Sequence, residues 1–246
     1  MPTPSATTLT MGSSTANSGT YATASVAGAA NTLVLLAFQN HGSTQRSVSS
    51  VVGGGASAGW TSVRSINYNS IAAPADEVDV WRYLTATPAA ASAITITLSG
   101  TASDGQWVVT QFSNVSRAGT NGANAVVQSV SSRADTASRL TCILASFTST
   151  VNVPWGSISF STTAANTINP GANFKELGEA NSGEFSGIES EWSTVQNTSV
   201  DAALTAGSRN AGGIAIEVAG DNPAAAGGTG GYYYQAYYSK MVIGAR

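Results

Sequence analysis

Charge is what this chain has least of. Asp, Glu, Lys and Arg make up only 9% of its 246 residues, against a usual share of about a quarter. Only two lysines occur, Lys175 and Lys240, and the formal net charge is −3. With ten basic residues against thirteen acidic ones and no basic cluster, the electrostatic footprint that holds a phosphate backbone is missing, which excludes DNA and RNA as partners. The single cysteine, Cys142, excludes an intrachain disulfide. Its setting in Leu140-Thr141-Cys142-Ile143-Leu144 predicts a buried thiol acting as a small hydrophobe. His41 is the only histidine. With no G-x-S-x-G elbow and no partner motif, it reads as a loop residue of Gln39-Asn40-His41-Gly42-Ser43, outside any Ser-His-Asp device. No run approaches the roughly 18 apolar residues of a membrane span. Met1-Pro2-Thr3-Pro4-Ser5-Ala6-Thr7-Thr8 has neither the basic nor the apolar region of a secretory signal, so synthesis in a cytoplasm without membrane association is expected.

What is present is strand-forming. Thr32-Leu33-Val34-Leu35-Leu36-Ala37-Phe38, Glu77 to Leu84, Ala93 to Leu98 and Gln106 to Phe112 are rich in β-branched and aromatic residues, and several alternate with period two. Gly, Ser, Asn and Pro fill the gaps, and no stretch carries a capped helical stripe. Hydrophobic content of 42% supports a sizeable core. The expected core comprises Leu33, Leu35, Trp60, Val80, Ile94, Ile96, Val108, Phe112, Leu140, Ile143, Phe147, Ile158, Phe160, Leu204, Ile214 and Ile216.

An internal echo organises these strands. Asn31 to Phe38 resembles Ser138 to Phe147; Val78-Asp79-Val80-Trp81 resembles Ile188 to Trp192; Ile94 to Leu98 resembles Ser199 to Leu204; Gly105 to Val109 resembles Ala211 to Val218. Four matched strands per half in one order point to a duplication. The fold expected is all-β: an eight-stranded jelly-roll-like sandwich built from two similar four-stranded halves, about 20–128 and 129–220. Residues 1–19, rich in Thr, Ser and Pro, are expected as an N-terminal arm, and residues 221–246 as an Ala/Gly hinge carrying a tyrosine-rich C-terminal arm.

Chemistry-bearing residues are few. Asp76, Glu77 and Asp79, and in the other half Glu184, Glu189 and Glu191, are the acidic clusters. They lack the D-x-D-x-D-G spacing of a calcium loop. Alternation puts Asp79 on a solvent-facing side and Glu189 and Glu191 together on one exposed face, so neither a metal nor a glycosidase carboxylate pair is expected, and no cofactor. Trp81 and Trp192 are expected as equivalent packing residues and Trp155, after Pro154, as the exposed tryptophan that could stack on a sugar. Gly53-Gly54-Gly55 reads as a bend, since no Lys-Ser/Thr follows. Asn114-Val115-Ser116 and Asn197-Thr198-Ser199 fit the glycosylation triplet, a weak signal without a secretory leader.

The terminus differs from the rest. Five of the eight tyrosines lie between Tyr232 and Tyr238. Tyr232, Tyr233, Tyr234, Tyr237, Tyr238, Val242 and Ile243 are the expected partner-binding residues, adding a strand or aromatic anchors to a neighbour. The alternative is that this segment covers an edge of its own sheet.

A Leu/Val strand, a Gly-Gly turn before Trp60, the Val78-Asp79-Val80-Trp81-Arg82-Tyr83 strand, the Ile94-Thr95-Ile96-Thr97-Leu98 strand ending in Ser99-Gly100, and Phe112-Ser113-Asn114-Val115 together resemble β-sandwich virion structural proteins of tailed phages. The likeness spans roughly residues 20 to 220, and the second half departs from it by lacking the Gly-Gly turn. The resemblance implies a non-enzymatic head-decoration or tail-associated protein, found in the virion and made in the host cytoplasm. Its partners would be other virion proteins and copies of itself. A carbohydrate-binding or adhesive module, with a glycan as ligand, is the alternative.

Overall fold

The computed structural model describes residues 2–68, 75–161, 166–183 and 186–221. Among these, sixteen strands are connected almost without helix. The first eight are β1 (Ser5–Ser14), β2 (Ser18–Val26), β3 (Leu33–His41), β4 (Val48–Gly53), β5 (Thr61–Tyr68), β6 (Asp76–Leu84), β7 (Ser92–Ala102) and β8 (Asp104–Ser113). A 3-10 segment, Thr120–Ala125, leads into β9 (Val126–Ala137), β10 (Arg139–Ile143), β11 (Val153–Ser161), β12 (Ile168–Pro170), β13 (Lys175–Asn181), β14 (Ser186–Trp192), β15 (Ser199–Leu204) and β16 (Arg209–Val218).

All pairings are antiparallel, in four sheets. One five-stranded sheet has the order β1-β8-β3-β6-β5 and one three-stranded sheet the order β2-β7-β4. Adding eight to every label gives the other two, β9-β16-β11-β14-β13 and β10-β15-β12. The chain therefore builds the same eight-strand pattern twice.

Burial shows how the sheets stack. Val34, Leu36, Phe38, Ile94, Ile96 and Trp107 form a core between the five- and three-stranded sheets of the first half; Leu140, Ile158, Phe160, Ala202 and Leu204 do so in the second. The largest core lies between the two five-stranded sheets, where Leu35, Val80, Val108 and Phe112 meet Trp155, Ile188, Trp192, Ile214 and Ile216. The four layers thus run three, five, five, three. Edge strands meet crosswise, β1 beside β13 and β5 beside β9, the reciprocity of a two-fold interface. Because the five-stranded sheets are covered on both faces, their central strands read as continuous apolar runs: Leu33 to Asn40 are all buried.

Several expectations change here. Instead of eight strands in one sandwich there are sixteen in four sheets. Residues 1–19 are not an arm: Ser5–Ser14 pairs along β8, and β2 starts at Ser18. The Thr- and Ser-rich composition suits β1 because it is an edge strand that buries only Ala6. Three of the four echoes join true counterparts, but Ser138–Phe147 covers β10, an outer-sheet strand, whereas the counterpart of β3 is β11. Counting from the matched pairs His41↔Asp76 and Ser161↔Ser186, Trp81 corresponds to Glu191 and Trp192 to Arg82. That one-residue offset turns the two tryptophans to opposite faces of their sheets. Ile143 is 69% exposed, because Leu140 and Cys142 take the inward positions of β10. Gly53, Gly54 and Gly55 all have positive φ, as a glycine bend requires.

Candidate functional site

The ends of the central strands define two poles. At one, β3, β6 and β8 end on His41, Asp76 and Asp104, side by side in register. Here the apolar interface between the halves gives way to a buried polar seam. His41 Nδ1 pairs with Asp76 Oδ1, and Ser161 of the second half donates to Asp76 Oδ2. The Tyr68 hydroxyl meets that of Ser159. Ser186 Oγ lies 2.7 Å from the Gln39 side-chain oxygen and 2.9 Å from that of Gln106. Asp76 holds the His41 imidazole above its ordinary pKa, and burial raises the Asp104 carboxyl. His41 is thus a strand residue with a carboxylate partner, not a plain loop histidine. Asp76 thus joins His41 of the first half to Ser161 of the second.

Inside each sandwich sits a carboxyl pair. Glu77 and Asp79 point from β6 toward the β2-β7-β4 sheet, with Glu77 accepting from Ser47 Oγ at 3.2 Å. Glu189 and Glu191 point from β14 toward β12 and β15, Glu191 accepting from the Gly171 N–H at 2.7 Å. Both glutamates are 0% exposed and Asp79 is 3%. The expected solvent-facing positions are corrected: β6 and β14 each lie between two strands and beneath a second sheet, so both faces are covered. Burial raises all four, Asp79 further through Glu77 and Glu189 further through Glu191, and Glu191 is pushed up to about 8. Glu217, equally buried, shows the other solution: Asn152, Thr148 and Gln128 donate to its oxygens at 2.5–3.1 Å. The described residues contain no group of three potential metal ligands. Glu184 lies outside the described residues.

At the opposite pole the first and last described stretches of the chain meet. Asn114, held at φ 57, accepts the Asp221 N–H through its carbonyl at 2.8 Å and donates from Nδ2 to the Thr3 carbonyl at 3.4 Å. The exit is clamped: Ser116 N–H donates to the Ala219 carbonyl, Ala219 N–H to that of Ala125, and Gly220 N–H to Asn152 Oδ1. Arg117 pairs loosely with Asp221 at 3.7 Å. Beside this exit a cavity of about 720 Å³ opens between the halves, walled by the 116–124 loop, the 148–152 loop and Leu84. Asn121 stiffens one wall. At φ 52, it accepts from the Leu84 N–H and donates to the Gly59 carbonyl and to Thr61.

Trp155, expected to be exposed, is 0% exposed and packs in the central core; Pro154 is the second residue of β11, not a turn. Trp107 and Trp192 are buried too, and Trp60 and Trp81 half-buried, so the described residues present no row of open tryptophans. Cys142 is buried as expected, its thiol pushed up to about 12 by burial. Tyr232, Tyr233, Tyr234, Tyr237, Tyr238, Val242 and Ile243 lie outside the described residues. Sequence reasoning missed the convergence at Asn114: the Asn114-Val115-Ser116 triplet drew notice for another reason, and only an Asn in a left-handed turn hinted at a junction. Comparison with known protein families, curated proteins and solved structures finds no match for this chain.

Proposed function

We propose that this chain is a non-enzymatic structural protein of a tailed-phage virion, decorating or cementing the capsid through its C-terminal segment. Each half is read as a jelly-roll unit, since β1-β8-β3-β6 against β2-β7-β4 is the interleaving that two Greek keys produce. The observation that carries the reading is a shared junction: Thr3 and Asp221 both bond Asn114, so the first and last described stretches meet at one pole of the four-layer body. From there residues 222–231 lead to Tyr232-Tyr233-Tyr234, with Tyr237 and Tyr238 close behind. Rigid aromatic side chains dominate interface energetics. A surface weak in charge suits a subunit packed beside neighbours rather than one kept apart by repulsion.

Deletion of residues 229–246 tests this. The truncated body should melt at the same temperature as the full chain, because its sixteen strands pair among the described residues, but it should no longer co-sediment with phage particles or capsid precursors. Equal co-sedimentation of both forms would remove the basis of the reading.

A further inference from the structure

The exit pole supplies a receptor as well as a donor. Its cavity, about 720 Å³, falls in the size range of specific binding pockets and exceeds the needs of one aromatic ring. Leu84 and Val127 give apolar walls, and Val127 is one of the few large hydrophobic residues left exposed, at 39%. Asn31 and Asn124 place amides on the lining and Arg117 a guanidinium, the polar handles that phenol hydroxyls require when their rings are buried. The walls are preformed: Asn121 is locked by three side-chain bonds, and the 148–152 loop is pinned through Asn152 and Thr148 to Glu217. Little ordering entropy is then lost on binding.

We propose that this cavity receives the tyrosine-rich segment, residues 232–238, of a second copy of the chain, an inference that rests on the reading of that segment as an attachment device. Asp221 lines the cavity, and residues 222–231 reach at most about 36 Å when extended. Two copies meeting pole to pole can therefore exchange segments reciprocally, closing a two-fold dimer by segment swapping.

The test uses the full-length chain. Light scattering coupled to size exclusion should give a dimer for the parent protein, a monomer for Val127→Arg, and a monomer for the triple change of Tyr232, Tyr233 and Tyr234 to Ser, with melting temperatures held within about 2 °C. Mixing Tyr233→Cys chains with Asn124→Cys chains under mild oxidation should give a mixed intermolecular disulfide. A parent monomer, a Val127→Arg dimer, or an intramolecular disulfide in the Tyr233→Cys, Asn124→Cys double variant formed without any dimer would each overturn the proposal. The two readings fail separately. If the tyrosine changes abolish particle binding while Val127→Arg leaves the dimer intact, the cavity is wrong and the attachment segment stands. If the tyrosine changes leave particle binding intact, the attachment reading itself is lost.

Discussion

Replacing Glu191 with Gln should remove much of the protein's sensitivity to alkali. The carboxyl is fully buried between β14 and the outer sheet, and burial pushes it from 4.5 to about 8. Between those values the native state holds a proton that the unfolded chain has released, so the stability it contributes is complete below about 4.5 and is withdrawn as pH rises through 8. At about 1.4 kcal/mol per tenfold change in proton affinity, the full withdrawal approaches roughly 5 kcal/mol. Glutamine is neutral throughout and keeps an oxygen for the Gly171 N–H, which lies 2.7 Å away. Urea unfolding at pH 5 should then give nearly equal stabilities for parent and variant, and at pH 8.5 the variant should be more stable by about 2–4 kcal/mol. A residual slope will persist in the variant, because His41, Glu77, Asp79, Asp104 and Glu189 are all raised and act with the same sign. Parallel curves for the two proteins from pH 5 to 8.5 would refute the reasoning.

Other perturbations follow from the same packing. Trp155→Ala, which empties the centre of the interface between the halves, should cost about 3–5 kcal/mol and lower one shared unfolding transition seen by tryptophan fluorescence and circular dichroism alike. Two separated transitions would mean that the halves are energetically independent. Gly156→Ala places a Cβ 2.3 Å from Val200 Cγ1; calorimetry should show a loss of about 1–3 kcal/mol, largely relieved when Val200→Ala is added. Asp76→Ala leaves His41 and Ser161 without their shared acceptor and should cost about 3 kcal/mol. That cost should be largest below pH 6.5, where the imidazole is charged, and should shrink as pH rises through the raised native pKa of His41. A pH-independent loss would show that the ring's charge plays no part.

The strand content and most core positions were legible because period-two alternation is a local signal. Two features were not. β1 carries Ser5-Ala6-Thr7-Thr8 and buries only Ala6, so its pattern is that of an arm, and only pairing with β8 makes it a strand. The doubling of the strand count was hidden for a related reason. β4 and β12 are short edge strands whose partners, β7 and β15, are distant in sequence. The buried carboxyls misled in a different way: Val78-Asp79-Val80 alternates as if one face were wet, but β6 has a sheet on either side, and polarity does not report exposure where a second layer covers the strand. The tyrosines of the C-terminal segment stand out in the sequence, whereas the cavity depends on positive-φ turns at Gly119, Asn121 and Gly122 that become a wall only in three dimensions.

Amide hydrogen exchange across residues 229–246, measured on the monomeric Val127→Arg chain and again on the parent chain in phage particles, bears most directly on the central claim. The account predicts rapid exchange in the monomer and strong protection in the particle, confined to the stretch from Tyr232 to Ile243. Protection of that stretch already in the isolated monomer would contradict it, since the tyrosine-rich segment would then be a part of its own body and not the means of attachment.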